Sequence, residues 1–190
     1  MNRKIISIVG DAFIEKDGPK YKMAFETAKA LVDHGFRVQS GGLKGVMEAA
    51  FAGAHASEKY KEGDTVAIVP GFNPFTANEY ADIVIPTGLD VYRNVIVANA
   101  FAVVAVGGGG GTLAEISNAW ALKRMVLAFD NVEGWSKKLA GTRLDERIRY
   151  EDIPDDRIYA VSSAEEVIEL LDERLERYNL AYQGIPIKKP

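Results

Sequence analysis

Residues 102–115 read AVVAVGGGGGTLAE, from Ala102 to Glu115. The five apolar residues at 102–106 predict a strand buried on both faces, and the pattern from Thr112 onward predicts a helix. Five consecutive glycines lie between them, although each costs up to about 1 kcal/mol of chain entropy relative to alanine and a turn needs far fewer. A strand that leads through such a loop into a helix predicts a parallel α/β sheet with a ligand-binding site at the loop.

Short apolar runs alternate with helical patterns on both sides of this stretch, which is typical of βαβ units. The predicted strands are residues 5–9, 38–40, 66–69, 83–85, 102–106, 126–129 and 158–161. The predicted helices are residues 19–34, 45–57, 90–101 with Asp90 as the N-cap, a helix opened by Thr112, a short one near 135–139, and 164–178. We expect a Rossmann-like, doubly wound, mainly parallel sheet with helices on both faces. Residues 1–178 should form this single α/β domain and residues 179–190 an extended C-terminal tail.

Length and composition limit the possible functions. The chain has 190 residues, which fits one domain, and no cysteine, which excludes disulfides, thiolate metal sites and cysteine nucleophiles. Its net charge of −4 argues against broad nucleic-acid binding, which relies on clustered cations. The apolar stretch at 5–9 is too short for a signal peptide, and no run approaches the roughly 18 residues that span a bilayer. We expect a cytoplasmic protein that binds neither membrane nor nucleic acid and holds no metal.

Three glycine-containing loops should lie at the carboxyl edge of the sheet, where ligands bind in folds of this type. They follow the predicted strands at 5–9, 38–40 and 102–106. Glycine lets backbone N–H groups approach a phosphate without an intervening Cβ, and the following helix adds unpaired N–H groups and the positive end of its dipole. The candidate phosphate- or nucleotide-binding residues are Gly10, Asp11, Gly41, Gly42, Lys44, Gly45, Gly108, Gly109, Gly110, Gly111 and Thr112.

Glu115 has two interpretations. Thr112 and Glu115 have the spacing of a capping box, in which the glutamate only satisfies backbone groups at a helix start. Residues 162–166 offer the same pattern without a glycine loop. Alternatively, a carboxylate one turn beyond a phosphate loop is placed to act on a sugar carbon or to orient a water.

Other charged residues near the loops also allow two interpretations each. Arg93 lies in the first turn of a predicted helix, where a cation opposes the dipole, so it faces either solvent or an anion such as Asp90 or a bound phosphate. Lys44 either contacts phosphate or is solvated. Asp11 would repel phosphate and therefore either binds ribose hydroxyls or caps the backbone. The sequence contains no Walker A, G-x-S-x-G or H-E-x-x-H motif.

Three motifs occur together, and they read Ser40-Gly41-Gly42-x-x-Gly45-Val46-Met47, Tyr92-Arg93-Asn94, and Gly107 to Gly111 followed by Thr112-x-x-Glu115. In this order, over residues 5–129, they resemble the LOG family of cytokinin-activating phosphoribohydrolases, once labelled lysine decarboxylase-like. The chain differs from LOG proteins at four positions. Gly107 stands in place of proline, Asn94 in place of lysine, Glu48 in place of glycine and Asp11 in place of serine. With these differences the chain is similar to a prokaryotic branch close to the molybdenum-cofactor carrier proteins.

The LOG resemblance implies that the glycine loops hold a nucleoside 5′-monophosphate in a homodimer. It also implies that Arg93 and Glu115 are catalytic, hydrolysing the N-glycosidic bond to base and ribose 5-phosphate without a cofactor. A carboxylate suits this reaction because positive charge develops on the ribose. The carrier resemblance implies an alternative, a non-catalytic carrier or sensor of a phosphorylated ligand such as molybdenum cofactor. The sequence leaves both open.

Overall fold

The computed structural model describes residues 3–178, and its strands form one parallel sheet. The strands are β1 (Ile5–Gly10), β2 (Arg37–Ser40), β3 (Thr65–Val69), β4 (Ile83–Pro86), β5 (Ala102–Val106), β6 (Met125–Phe129) and β7 (Ile158–Val161). Their order in the sheet is β4-β3-β2-β1-β5-β6-β7. β3, β5 and β6 are buried along their whole length, as expected for strands covered on both faces.

Helices cover both faces of the sheet. They are α1 (Pro19–Asp33), α2 (Val46–His55), α3 (Asn94–Ala98), α4 (Gly110–Ala121), α5 (Trp135–Leu139) and α6 (Ala164–Arg174). Short 3₁₀ segments lie at Pro74–Thr76, Asp90–Arg93 and Leu175–Tyr178. Apolar residues of α1, α2 and α6 belong to one core, and those of α3, α4 and α5 pack in a second core on the opposite face. The predicted Rossmann-like fold with a doubly wound sheet is therefore confirmed.

The register of the central strands sets the geometry of the loops. β1 pairs with β5 from Ile6 opposite Ala102 to Gly10 opposite Val106. The two strands therefore end at the same level, and the loops after them lie side by side at the carboxyl edge. Because α1 and α4 then cover opposite faces, these loops diverge and leave a crevice between them.

The helix predicted from Asp90 to residue 101 is wrong in its start and its length. The chain forms a 3₁₀ turn over Asp90–Arg93 before α3 begins, and Asp90 has a φ of +50° and makes no side-chain cap. α3 ends at Ala98, and side chains of the sheet donate to its last turn: Ser7 Oγ donates to the Val97 carbonyl over 2.6 Å, and Gln39 Nε2 donates to the same carbonyl over 3.1 Å. α4 also differs, since it begins two residues before Thr112.

The predicted tail, residues 179–190, lies outside the described residues. Across residues 3–178, no helix combines the length and the apolarity needed to cross a bilayer.

We expect Gly53→Ala to destabilise the fold, because α2 packs closely against the backbone of α1 at Gly53. A Cβ there would lie 2.7 Å from the Phe25 Cα and carbonyl carbon, which are backbone atoms that cannot rotate away. The free energy of unfolding in urea should fall by about 1–3 kcal/mol, the usual range for overpacking.

Gly110→Ala is the matched control in α4. A Cβ at this position meets nothing within 4 Å, so alanine should be neutral or stabilise the helix by up to about 1 kcal/mol. Equal stability of Gly53→Ala and the wild type would contradict the helix packing described above.

Candidate functional site

A cavity of about 310 Å³ lies in the crevice between the loops after β1 and β5. We call it the glycine-loop cavity. It is lined by residues from the loops after β1, β2 and β5 and from the 3₁₀ turn before α3. The predicted site residues that line it are Gly10, Asp11, Gly41, Arg93, Gly109, Gly111, Thr112 and Glu115. Sequence-distant residues are thus brought together at one edge of the sheet.

The first two glycines after β5 are held by the protein itself. Gly107 and Gly108 have φ values of +64° and +97°, which glycine adopts without strain. The Gly107 N–H donates to Ser136 Oγ over 2.8 Å, and the Gly108 N–H donates to Asp11 Oδ2 over 2.8 Å. Their carbonyls accept from the backbone of Ser136 and Trp135, each over 2.9 Å. The predicted phosphate contact of Gly108 therefore conflicts with its own hydrogen bonds.

The next amides have no such partners. α4 begins at Gly110, its N-cap Gly109 provides no side-chain cap, and the first intrahelical donor is Leu113. Within residues 3–178, the N–H groups from Gly109 to Thr112 donate no hydrogen bond. Thr112 is 3% exposed and its hydroxyl likewise has no hydrogen-bond partner in the described chain. The end of α4 at the cavity is therefore an uncapped set of donors with the positive end of the helix dipole behind it.

Glu115 is not the end of a capping box. Its Oε1 accepts from Arg93 Nη1 over 3.0 Å, and the N-cap of α4 is Gly109, three residues before Thr112, which would be the N-cap of a capping box. The pattern does form a cap at α6, where Ser163 Oγ accepts from the Glu166 N–H over 3.3 Å and Glu166 Oε2 accepts from the Ser162 N–H over 2.7 Å. The same spacing thus serves backbone capping at α6 and a buried ion pair at α4.

Arg93 reaches Glu115 because Gly41 leaves room for it. A Cβ at Gly41 would collide with the guanidinium and would lie 2.7 Å from Met47 Sδ. Arg93 is only 8% exposed, and its Nε is buried without a partner among the described residues. Of the interpretations offered by the sequence, solvent exposure and a pair with Asp90 are wrong, since the buried guanidinium pairs with Glu115, which lines the same cavity. Arg93 thus retains donors for an anion.

The environment of Glu115 shifts the pKa of its carboxyl group to near neutral pH. Burial raises the pKa of Glu115 to about 7, although the charge and the hydrogen bond of Arg93 act in the opposite direction. Burial is the stronger cause because water is largely excluded from the carboxyl group, and this penalises its charged form. The cavity therefore contains a carboxyl group that can gain or lose a proton near neutrality.

Asp11 is a backbone cap rather than a free acid. Besides the Gly108 N–H, its Oδ2 accepts from Lys20 Nζ over 2.5 Å. Lys20 and Ser136 were missed by the sequence analysis, since a lysine in α1 and a serine in α5 carry no motif. Asn94, which the sequence analysis names only as a difference from the LOG motif, also lines the cavity, and its Nδ2 donates to the Gly111 carbonyl over 3.5 Å.

The remaining predicted residues lie beside the glycine-loop cavity rather than in its lining. A Cβ at Gly42 would lie 3.2 Å from the Ala67 Cα, and one at Gly45 would lie 2.6 Å from the carbonyl carbon of Ala12, so both are sites of close backbone approach. Gly110 is the first residue of α4. Lys44 is exposed and faces an adjoining cavity. Within residues 3–178, no group of three or more histidine, aspartate or glutamate residues is arranged to hold a metal ion.

We expect the Glu115 carboxyl to titrate near pH 7 in the folded protein, compared with an ordinary pKa of 4.5. Carbon NMR of the side-chain carboxyl measures this directly. Because the folded state holds this proton more tightly than the unfolded chain, its contribution to the free energy of unfolding is complete below pH 4.5 and is lost as the pH rises through 7. Glu115→Gln should lack this loss.

Arg93→Gln provides the control for the ion pair. It removes the cation that lowers the pKa of Glu115, so the carboxyl should titrate at a still higher pH. A wild-type midpoint near 4.5, or a lower midpoint in Arg93→Gln, would show that burial does not govern this group.

Relatives of known structure share the fold. The molybdenum cofactor binding protein of Rippkaea orientalis superposes with a TM-score of 0.73 at 29% identity, over 91% of this chain and 98% of that protein. The molybdenum cofactor carrier protein of Chlamydomonas reinhardtii gives 0.72 at 24% identity, over 92% of this chain and 99% of the carrier, which shows a common fold alone.

Sequence comparison gives the family. An uncharacterized protein of Archaeoglobus fulgidus is 38% identical over 115 residues, which are 60% of this chain and 72% of that protein. Residues 3–168 match the sequence model of the SLOG cluster4 family. With the structural neighbours, this match confirms the resemblance to LOG-like and carrier proteins, and the chain belongs to the SLOG cluster4 family.

Proposed function

We propose that the glycine-loop cavity binds the phosphate of a nucleotide or another small phosphorylated molecule, and that the protein carries or senses this ligand. One observation supports the proposal above all. The same cavity is lined by Gly109, Gly111 and Thr112, whose N–H groups have no partner among the described residues, and by Arg93, whose Nε has none. An anionic oxygen satisfies both sets of donors at once.

The energetics favour phosphate over a neutral group. A helix amino end attracts anions through its free N–H groups and its dipole, and the attraction is stronger away from bulk water. Arg93 and the Thr112 hydroxyl add donors, and hydrogen bonds to a charged group are worth about 1.5–3 kcal/mol each. The volume of about 310 Å³ suits a phosphate with an attached sugar.

The relatives support a binding role. The Rippkaea orientalis protein is named for binding molybdenum cofactor, a phosphorylated pterin, and it matches nearly the whole of this chain. In a carrier, the ion pair of Arg93 and Glu115 keeps the guanidinium in place before the ligand arrives, and the raised pKa of Glu115 limits repulsion between its carboxylate and the phosphate.

A second candidate function is hydrolysis of the N-glycosidic bond of a nucleoside 5′-monophosphate. The observation that favours it is the same carboxyl group, which lines the cavity with a pKa of about 7. Ionised Glu115 would stabilise positive charge on the ribose and orient the attacking water, and Arg93 would hold the substrate. Water adds to the ribose carbon, the base leaves with its bonding electrons and takes up a proton, and ribose 5-phosphate remains.

We also propose that the protein is a cytoplasmic homodimer. Large apolar side chains are exposed on β4, on the 3₁₀ turn before α3 and on α3 itself, and they include Ile83, Ile85, Val91, Tyr92 and Val95. The exposure of several large apolar side chains on neighbouring segments of the chain supports burial against a second copy.

Calorimetric titration with ribose 5-phosphate tests the binding proposal. Thr112→Val removes the hydroxyl at almost constant volume and should weaken binding about tenfold. Thr112→Ser keeps the hydroxyl and should bind like the wild type. If the wild type binds neither ribose 5-phosphate nor inorganic phosphate, the cavity is not a phosphate site.

Incubation with AMP and GMP separates the two functions, with released base as the readout. Release that Glu115→Gln abolishes supports the hydrolase. Binding without release of base supports the carrier or sensor.

A further inference from the structure

A second and larger cavity, of about 570 Å³, adjoins the glycine-loop cavity. We call it the Phe13 cavity. The two share Ala12 and Leu43 in their linings, so a ligand can extend from one into the other past these residues. The Phe13 cavity lies between the loop after β1 and the connection between β3 and β4, which contributes Ala77.

Phe13 is the most unusual residue of this cavity. It lies in the loop after β1 and is 92% exposed, although its ring is fully apolar. It makes no ring contact with another aromatic residue among residues 3–178. An exposed aromatic ring at the mouth of a cavity offers a flat face on which a planar heterocycle can stack.

The charges around the Phe13 cavity disfavour a second phosphate. Lys44, Glu48 and Glu79 line it, so two carboxylates oppose one ammonium. The anionic part of the ligand therefore belongs in the glycine-loop cavity, and a neutral ring belongs in the Phe13 cavity.

Lys44 and Glu48 lie at the amino end of α2, on either side of its N-cap Gly45, and both line the Phe13 cavity. Among the described residues neither forms an ion pair or a side-chain hydrogen bond. Lys44 offers only donors and Glu48 only acceptors when ionised. Together they match a ring edge on which a carbonyl oxygen stands next to an N–H and an amino group.

We propose that the Phe13 cavity selects a ligand whose ring is a 2-amino-4-oxopyrimidine, the unit shared by guanine and pterins. The ring stacks on Phe13, its carbonyl oxygen accepts from Lys44 Nζ, and its N–H and amino groups donate to the Glu48 carboxylate. This inference rests on the proposed phosphate site, since the phosphate fixes the other end of the ligand.

Adenine does not fit this arrangement. Its corresponding edge carries a ring nitrogen with a lone pair and an amino group where guanine has an N–H and a carbonyl oxygen. The lone pair would face the Glu48 carboxylate, and the amino group would face Lys44. In the first contact two acceptors face each other, and in the second two donors do. The site should therefore discriminate between the two purines.

The test is calorimetric titration of the whole chain with GMP, AMP, neopterin monophosphate and ribose 5-phosphate. GMP or neopterin monophosphate should bind at least about tenfold more tightly than AMP, and the tighter of the two identifies the source of the ring. Glu48→Gln should remove the preference over AMP. Glu58→Gln, an exposed carboxylate at the other end of α2, should leave it unchanged.

Phe13→Ala isolates the stacking contact. It should weaken GMP about tenfold and leave ribose 5-phosphate unchanged, because the sugar phosphate does not reach the ring. Phe75→Ala is the matched control, since Phe75 is also 92% exposed and does not line either cavity.

The outcomes distinguish this inference from the phosphate site itself. If ribose 5-phosphate binds as tightly as GMP, if Phe13→Ala has no effect, or if AMP is preferred, the ring assignment is overturned while the phosphate site stands. If none of the four probes binds, both are overturned.

Discussion

The site depends on how two neighbouring glycines are held. Gly107 and Gly108 turn with positive φ, and their amides are bound by Ser136 and Asp11. This fixes the direction in which α4 starts and leaves its first amides free. Gly134 permits the arrangement, because a Cβ there would lie 2.5 Å from the Gly108 nitrogen. Without these bonds the five-glycine run would be a flexible loop, since glycine loses more conformational entropy on ordering than any other residue.

The buried charges follow from the same close packing. Gly41 has no Cβ, so the Arg93 guanidinium can lie against the loop after β2 and reach Glu115. Because this pair is buried, the pKa of the Glu115 carboxyl is raised to about 7, and the Arg93 Nε has no partner among the described residues. Such a pair is costly without further hydrogen bonds. A ligand anion that accepts from Arg93 offsets part of this cost, so binding and stability should be coupled at this site.

The sequence predicts the sheet well and the site only in part. Strand positions follow from local apolar runs, and the glycine loops follow from composition and order. The contacts that shape the site are not local: Ser136 is 29 residues from Gly107, and Arg93 is 22 residues from Glu115. The spacing of Thr112 and Glu115 allowed either a local cap or a carboxylate that acts at the loop, and the structure shows Glu115 in a tertiary ion pair. The left-handed backbone of Asp90 was not predicted, because aspartate before a helical pattern is also typical of an N-cap.

Amide NMR during titration with ribose 5-phosphate tests the central claim most directly. Hydrogen bonding to phosphate moves an amide proton downfield, so each glycine in the run reports separately. The account predicts large downfield shifts among the amides from Gly109 to Thr112 and little change at Gly107 and Gly108, which are already bonded within the protein. Shifts confined to Gly107 and Gly108, or no shift anywhere in the run, would contradict it.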